Sequence, residues 1–137
     1  MPVCHITRVE EFCASHRLHS PHLGDEENRA LYGKCNNPNG HGHNYRLHVT
    51  VRGPVDPRTG MLIELNQLAA LIREAVTEQV DHFNLNMDVP FLAGVIPTAE
   101  NLCQAFWDQL EHRLPAGELW ELRLEETGRN IVFLRRD

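Results

Sequence analysis

The chain has 137 residues, 42% apolar and 23% charged, with 13 basic against 19 acidic residues for a formal net charge of −6. That length fits a single domain, residues 1–137, with room for a real core, and no apolar run is long enough to span a bilayer. Lys and Arg are scattered through an acidic chain, which excludes backbone-driven nucleic-acid binding. An N-terminus reading "MPVCHITRVEEF" lacks the apolar middle of a secretory signal, so the cytoplasm is the expected location.

Residues 3–14, "VCHITRVEEFCA", alternate roughly and carry β-branched residues, predicting a first strand. Residues 20–40 then form a long excursion with a short helix in "DEENRALYG", stopped by Gly33, and the turn formers "NNPNG". A second strand is expected from about His43 to Val51, followed by a turn at "DPRTG". In "LNQLAALIREAVTEQV" the apolar residues Leu65, Leu68, Leu71, Ile72, Ala75, Val76 and Val80 have the spacing of an amphipathic helix. A second long helix opens at "PTAEN", with Thr98 as N-cap and Glu100 near the positive end of the dipole, and runs to Pro115. Two closing strands, "LWELRLEET" and "NIVFLRR", flank a Thr127-Gly128-Arg129 turn.

The order is ββααββ, an α+β pattern whose simplest form is a four-stranded antiparallel sheet with two helices on one face. So small a sheet leaves two open edges and an uncovered face, which invites assembly between copies.

Nine histidines are many for this length, and seven of them crowd into the stretch from His5 to His48. His41 and His43 lie two strand positions apart, about 6.5 Å, and share parity with Tyr45, Leu47, Val49 and Val51. His16 is in phase with Phe12 and Ala14, and an antiparallel pairing of the first two strands would bring it to that pair. Three neutral imidazoles would leave one position open on Zn²⁺, as catalytic sites require. His48 faces away from the pair, and His19 and His22 read as solvated loop residues.

The four cysteines form no C-x-x-C pair and read as free thiols. Cys35, six residues before His41, is open to three readings: a base or nucleophile, a fourth metal ligand, or an inert half-buried thiol. Asp81 could orient His82 only if the backbone leaves helical geometry there. Otherwise the pair is a contact with the helix C-terminus. Glu126, by itself no different from Glu125, could accept two parallel hydrogen bonds from an amino-heterocycle, and it shares even parity with Trp120, Leu122 and Leu124.

"FCASHRL", "GKCNNPNGHGHNY", "VDHFNLNMDVP", "PTAEN" and "EETGRNIV", in that order and over nearly the whole chain, resemble the 6-pyruvoyl-tetrahydropterin synthases. The resemblance implies the tunnelling fold, with ββααββ subunits in trimeric barrels, two of which stack into a homohexamer with sites at subunit interfaces. It implies zinc held by His16, His41 and His43, Cys35 as general base, Asp81 and His82 as relay partners, and Glu126 as pterin anchor and relay member. Thr98 and Glu100 are implied as pocket residues. The implied reaction converts 7,8-dihydroneopterin triphosphate to 6-pyruvoyl-tetrahydropterin with elimination of triphosphate, toward tetrahydrobiopterin, without external nicotinamide. The triphosphate would be held by scattered basic groups, with Arg17 and Lys34 as candidates. Two alternatives remain: a 6-carboxy-tetrahydropterin synthase of queuosine biosynthesis, whose Cys-to-H-G-H gap is usually shorter, and a non-catalytic zinc- or pterin-binding oligomer. A related aldolase carries glutamate where Cys35 stands.

Overall fold

The computed structural model describes residues 2–137. Strands β1 (Val3–His16), β2 (His41–Pro54), β3 (Glu118–Glu125) and β4 (Ile131–Arg135) form one antiparallel sheet in the order β1-β2-β3-β4. The excursion between β1 and β2 holds α1 (Asp25–Tyr32), stopped at Gly33 as expected, and a 3-10 turn (Gly33–Asn36). Between β2 and β3 come α2 (Leu65–Ile72), a π-turn (Arg73–Thr77), α3 (Glu78–Val80) and α4 (Ala99–Leu110).

Alternation along the strands decides which face is covered. Phe12, Ala14, Tyr45, Leu47, Val49, Val51, Leu122 and Leu124 point inward and join Leu68, Ile72, Val76, Val80, Leu102, Phe106 and Leu110 in one buried cluster. Each fully buried large side chain contributes about 1.5–3 kcal/mol, so this stripe is what seats the helices on the sheet. The opposite face is polar and laced by pairs such as Arg52–Glu118 and His48–Glu125, each at 2.7 Å.

Several boundaries differ from the sequence expectation. β1 runs on to His16 and β2 begins at His41, because the two strands pair without interruption from Val3↔Pro54 to His16↔His41. The helix expected over residues 65–80 contains a π-turn, and Leu65 at its start is exposed rather than part of the core. Arg73, first in that turn, donates through Nε to the buried carboxylate of Glu10 on β1. The last helix stops at Leu110, short of Pro115. Trp120 does not share the face of Leu122 and Leu124. A bulge pairs Val51 with Leu119 and Thr50 with Glu121, so Trp120 is the extra residue, and its ring meets His5 at 4.5 Å on the polar face.

No helix is long and apolar enough to cross a membrane among the described residues. All four cysteines are free thiols.

Candidate active site

The continuous β1–β2 ladder places His16 directly opposite His41, and His43 follows on the same face of β2. The chain enters β2 through Gly40, which has φ of 74°, and a Cβ there would stand 3.0 Å from the His16 carbonyl oxygen. Glycine therefore permits the close approach that starts the ladder at the histidines. The three rings lie mutually edge-on, with centroids 4.7 Å (His16–His41), 5.1 Å (His16–His43) and 4.8 Å (His41–His43) apart. One ligand atom from each converges within 4.8 Å, and this trio is the cluster of possible metal ligands among the described residues.

His16 is fully buried, and its Nδ1–H donates to the Pro97 carbonyl at 2.8 Å, with the Tyr45 hydroxyl 3.4 Å away. With the proton held at Nδ1, the Nε2 lone pair faces the cluster, 3.2 Å from Nε2 of His41. Burial lowers the pKa of His16, only partly opposed by the bond to Pro97. Burial also lowers that of His43, against a smaller opposing pull from Glu126. Nδ1 of His41 and Nε2 of His43 are buried without a hydrogen-bond partner. Three converging imidazoles, two of them with a buried nitrogen that lacks a partner, fit a divalent cation.

Cys35 ends up half-buried in the 3-10 turn and is not one of the three converging side chains. It is nonetheless near the site: burial, then Glu126 and then Cys35 push the Tyr45 phenol well above its ordinary value. Asp81 and His82 leave helical geometry, with ψ of 126° at Asp81 and φ of 65° at His82. That break lets Asp81 Oδ2 meet His82 Nδ1 at 3.0 Å, while Asp81 Oδ1 accepts from the Cys13 amide at 2.8 Å. The amide bond is the main cause of the lowered Asp81 pKa, so the carboxylate is charged at neutral pH.

The two neighbouring glutamates part company. Glu125 turns to the polar face and binds His48 at 2.7 Å, whereas Glu126 Oε1 lies 3.9 Å from His43 Nε2. Thr98, Glu100 and Glu126 line one cleft of about 440 Å³ together with Leu18, Arg129 and Ile131. Thr98 is also the N-cap of α4, its hydroxyl accepting from the Asn101 amide at 3.2 Å. Arg17 is already engaged, since its Nε donates to the Asn36 carbonyl at 2.9 Å. His19 is not merely solvated, for its Nδ1 is 3.0 Å from the Asn36 amide nitrogen. His22 is exposed.

Three groups at the site were not singled out from the sequence. Tyr45 carried a readable signal, a hydroxyl on an apolar parity that needs a partner. Pro97 acts through its carbonyl, which no side-chain pattern reveals. Asn36 was one turn former among several.

A family profile described as 6-pyruvoyl tetrahydropterin synthase matches residues 5–137. The 6-pyruvoyl tetrahydrobiopterin synthase of Poecilia reticulata is 53% identical over 131 residues, covering 96% of this chain and 89% of that protein. The Homo sapiens protein of the same name is 51% identical over 130 residues, covering 95% and 90%. The solved structure of Caenorhabditis elegans 6-pyruvoyl tetrahydropterin synthase superposes with a TM-score of 0.93 at 40% identity, covering 100% of this chain and 98% of that one. This α+β chain with its histidine-lined site belongs to the 6-pyruvoyl tetrahydropterin synthase family.

Proposed function

We propose that the protein converts 7,8-dihydroneopterin triphosphate to 6-pyruvoyl-tetrahydropterin, releasing triphosphate. The observation that carries this reading is the convergence of three histidines, His16 buried and His41 and His43 half-buried, beside a carboxylate-lined cleft in a chain of this family. The overall change is elimination of triphosphate with an internal transfer of hydrogen from side chain to ring, so no external oxidant or reductant enters.

In this reading His16, His41 and His43 hold Zn²⁺, which when bound supplies positive charge for the oxygens of the substrate side chain. Glu126 accepts two hydrogen bonds from the amino-pyrimidinone edge of the pterin, a fork a carboxylate suits, with Thr98 and Glu100 beside it. Cys35 removes the carbon-bound proton of the side chain, and His82, oriented by ionised Asp81, passes protons on. The His82 imidazole is 80% exposed and is bonded through Nδ1 to Asp81. That exposure supports a homohexameric assembly whose sites are completed between subunits. The edge strands β1 and β4, with exposed Val3, Ile131 and Phe133, are the surfaces such an assembly would use.

The test is incubation of zinc-loaded protein with dihydroneopterin triphosphate, following triphosphate and the pterin product. Triphosphate release with a pyruvoyl pterin is expected. Acetaldehyde with a carboxylated pterin would assign the carboxy-tetrahydropterin reaction instead, and tight pterin binding without any turnover would assign a binding role.

A further inference from the structure

We propose that Asn36 and Arg17 are positioning residues that fix the Cys35 thiol, forming a clamp between the end of β1 and the 3-10 turn. Three consecutive residues after His16 hold the Cys35–Asn36 segment. The Arg17 Nε donates to the Asn36 carbonyl at 2.9 Å, and the Leu18 amide donates to the Cys35 carbonyl at 2.8 Å. The Asn36 side-chain amide then donates back to the Leu18 carbonyl at 2.8 Å and lies 3.0 Å from His19 Nδ1, which accepts its second hydrogen. Asn36 is 5% exposed although polar, so these partners are what make its burial tolerable.

The other side of the clamp is equally built. Asn86 accepts from the Arg17 amide at 2.7 Å and donates to the Arg17 carbonyl at 2.8 Å, which ties the strand end to the loop that follows Asp81 and His82. Leu85 donates to the Ser15 carbonyl at 2.8 Å in the same seam. Arg17 thus stands between the turn bearing Cys35 and the segment bearing the Asp81–His82 pair. Because His16 is its neighbour in β1, one strand end sets the thiol and the imidazole trio relative to one another. Arg17 thus orders the site through its Nε and backbone.

This proposal rests on the assignment of Cys35 as the base, and the test separates the two. Asn36→Asp replaces an amide that serves two acceptors with a group that has no hydrogen to give them. Arg17→Gln removes the Nε bond from a half-buried side chain and serves as the gentler variant should Asn36→Asp fail to fold. In zinc-loaded protein, peptide-resolved alkylation with iodoacetamide across a pH series reports the setting of Cys35, with exposed Cys4 and Cys13 as internal references. Both variants are expected to change the Cys35 rate and its pH profile, leave Cys4, Cys13 and the metal content as in the parent, and lower kcat about tenfold to a hundredfold with KM nearly constant. Cys35 alkylation and kcat within about twofold of the parent in the folded variants would overturn the proposal, as would loss of bound metal together with kcat. If the parent itself shows no turnover, the catalytic assignment fails, while the alkylation profiles still decide whether the clamp holds the thiol.

Discussion

Glu125 and Glu126 are adjacent in sequence and identical in chemistry, yet they sit on opposite sides of the strand end. That makes them a matched pair for testing where the pterin binds. Glu126→Gln keeps the shape of the side chain and removes its charge. A hydrogen bond to a charged group contributes about 1.5–3 kcal/mol, so loss of the charge is expected to weaken binding of a pterin by about tenfold to a hundredfold. Since Glu126 only raises the His43 pKa from 3.9 Å, its removal leaves that imidazole neutral and the metal content unchanged. Glu125→Gln instead breaks the pair with His48 on the polar face, a solvent-screened contact whose loss should change stability little. Pterin affinity should be as in the parent. Quenching of pterin fluorescence in titrations of both variants, with metal analysis alongside, provides the measurement. Equal losses of affinity in the two variants, or an unchanged Glu126→Gln, would refute the assignment of the cleft.

Other expectations follow from the same geometry. Asp81→Asn can still accept from the Cys13 amide but presents an N–H or a neutral oxygen to His82, so kcat should fall by about a hundredfold or more with the metal retained, as stopped-flow and metal analysis would show. Burial lowers the pKa of His16 and His43 below 6.5, so as pH falls through 6.5 the unfolded chain takes up protons that the folded, metal-free chain refuses. Stability of the metal-free protein is then fully present above that pH and declines below it, by up to about 1.4 kcal/mol per pH unit for each histidine, measurable by denaturant titration at stepped pH. A flat profile between pH 7 and the acid transition would contradict it. Tyr45→Phe removes the weaker of the two groups at His16 Nδ1, so metal affinity in chelator competition should drop about tenfold, the lower end for such supporting contacts, with stability changed by less than about 1.5 kcal/mol.

How far the site could be read in advance depended on whether position along the chain determines direction in space. In β2 it does. The alternation that buries Tyr45, Leu47, Val49 and Val51 also aims His41 and His43, and the in-phase residues of β1 bring His16 opposite them. The same rule failed at Trp120, because a bulge is a property of two strands in register and β3 alone carries no mark of the residue that will be skipped. The π-turn was hidden for a related reason: an amphipathic spacing tolerates one wide turn, and what accompanies this one is Arg73 reaching Glu10, a charge on the inward parity of a distant strand. Glu10 was the visible clue, since a carboxylate in phase with Phe12 and Ala14 requires a basic partner from whatever packs above it. Asp81 and His82 were legible only conditionally, and the left-handed backbone at His82 fulfils the condition. The contacts that lay beyond reach, Pro97 to His16 and the strand end to Asn36, are made through backbone atoms every residue possesses. Residue type can nominate the groups that do chemistry, but the carbonyls that hold them in place are chosen by the fold.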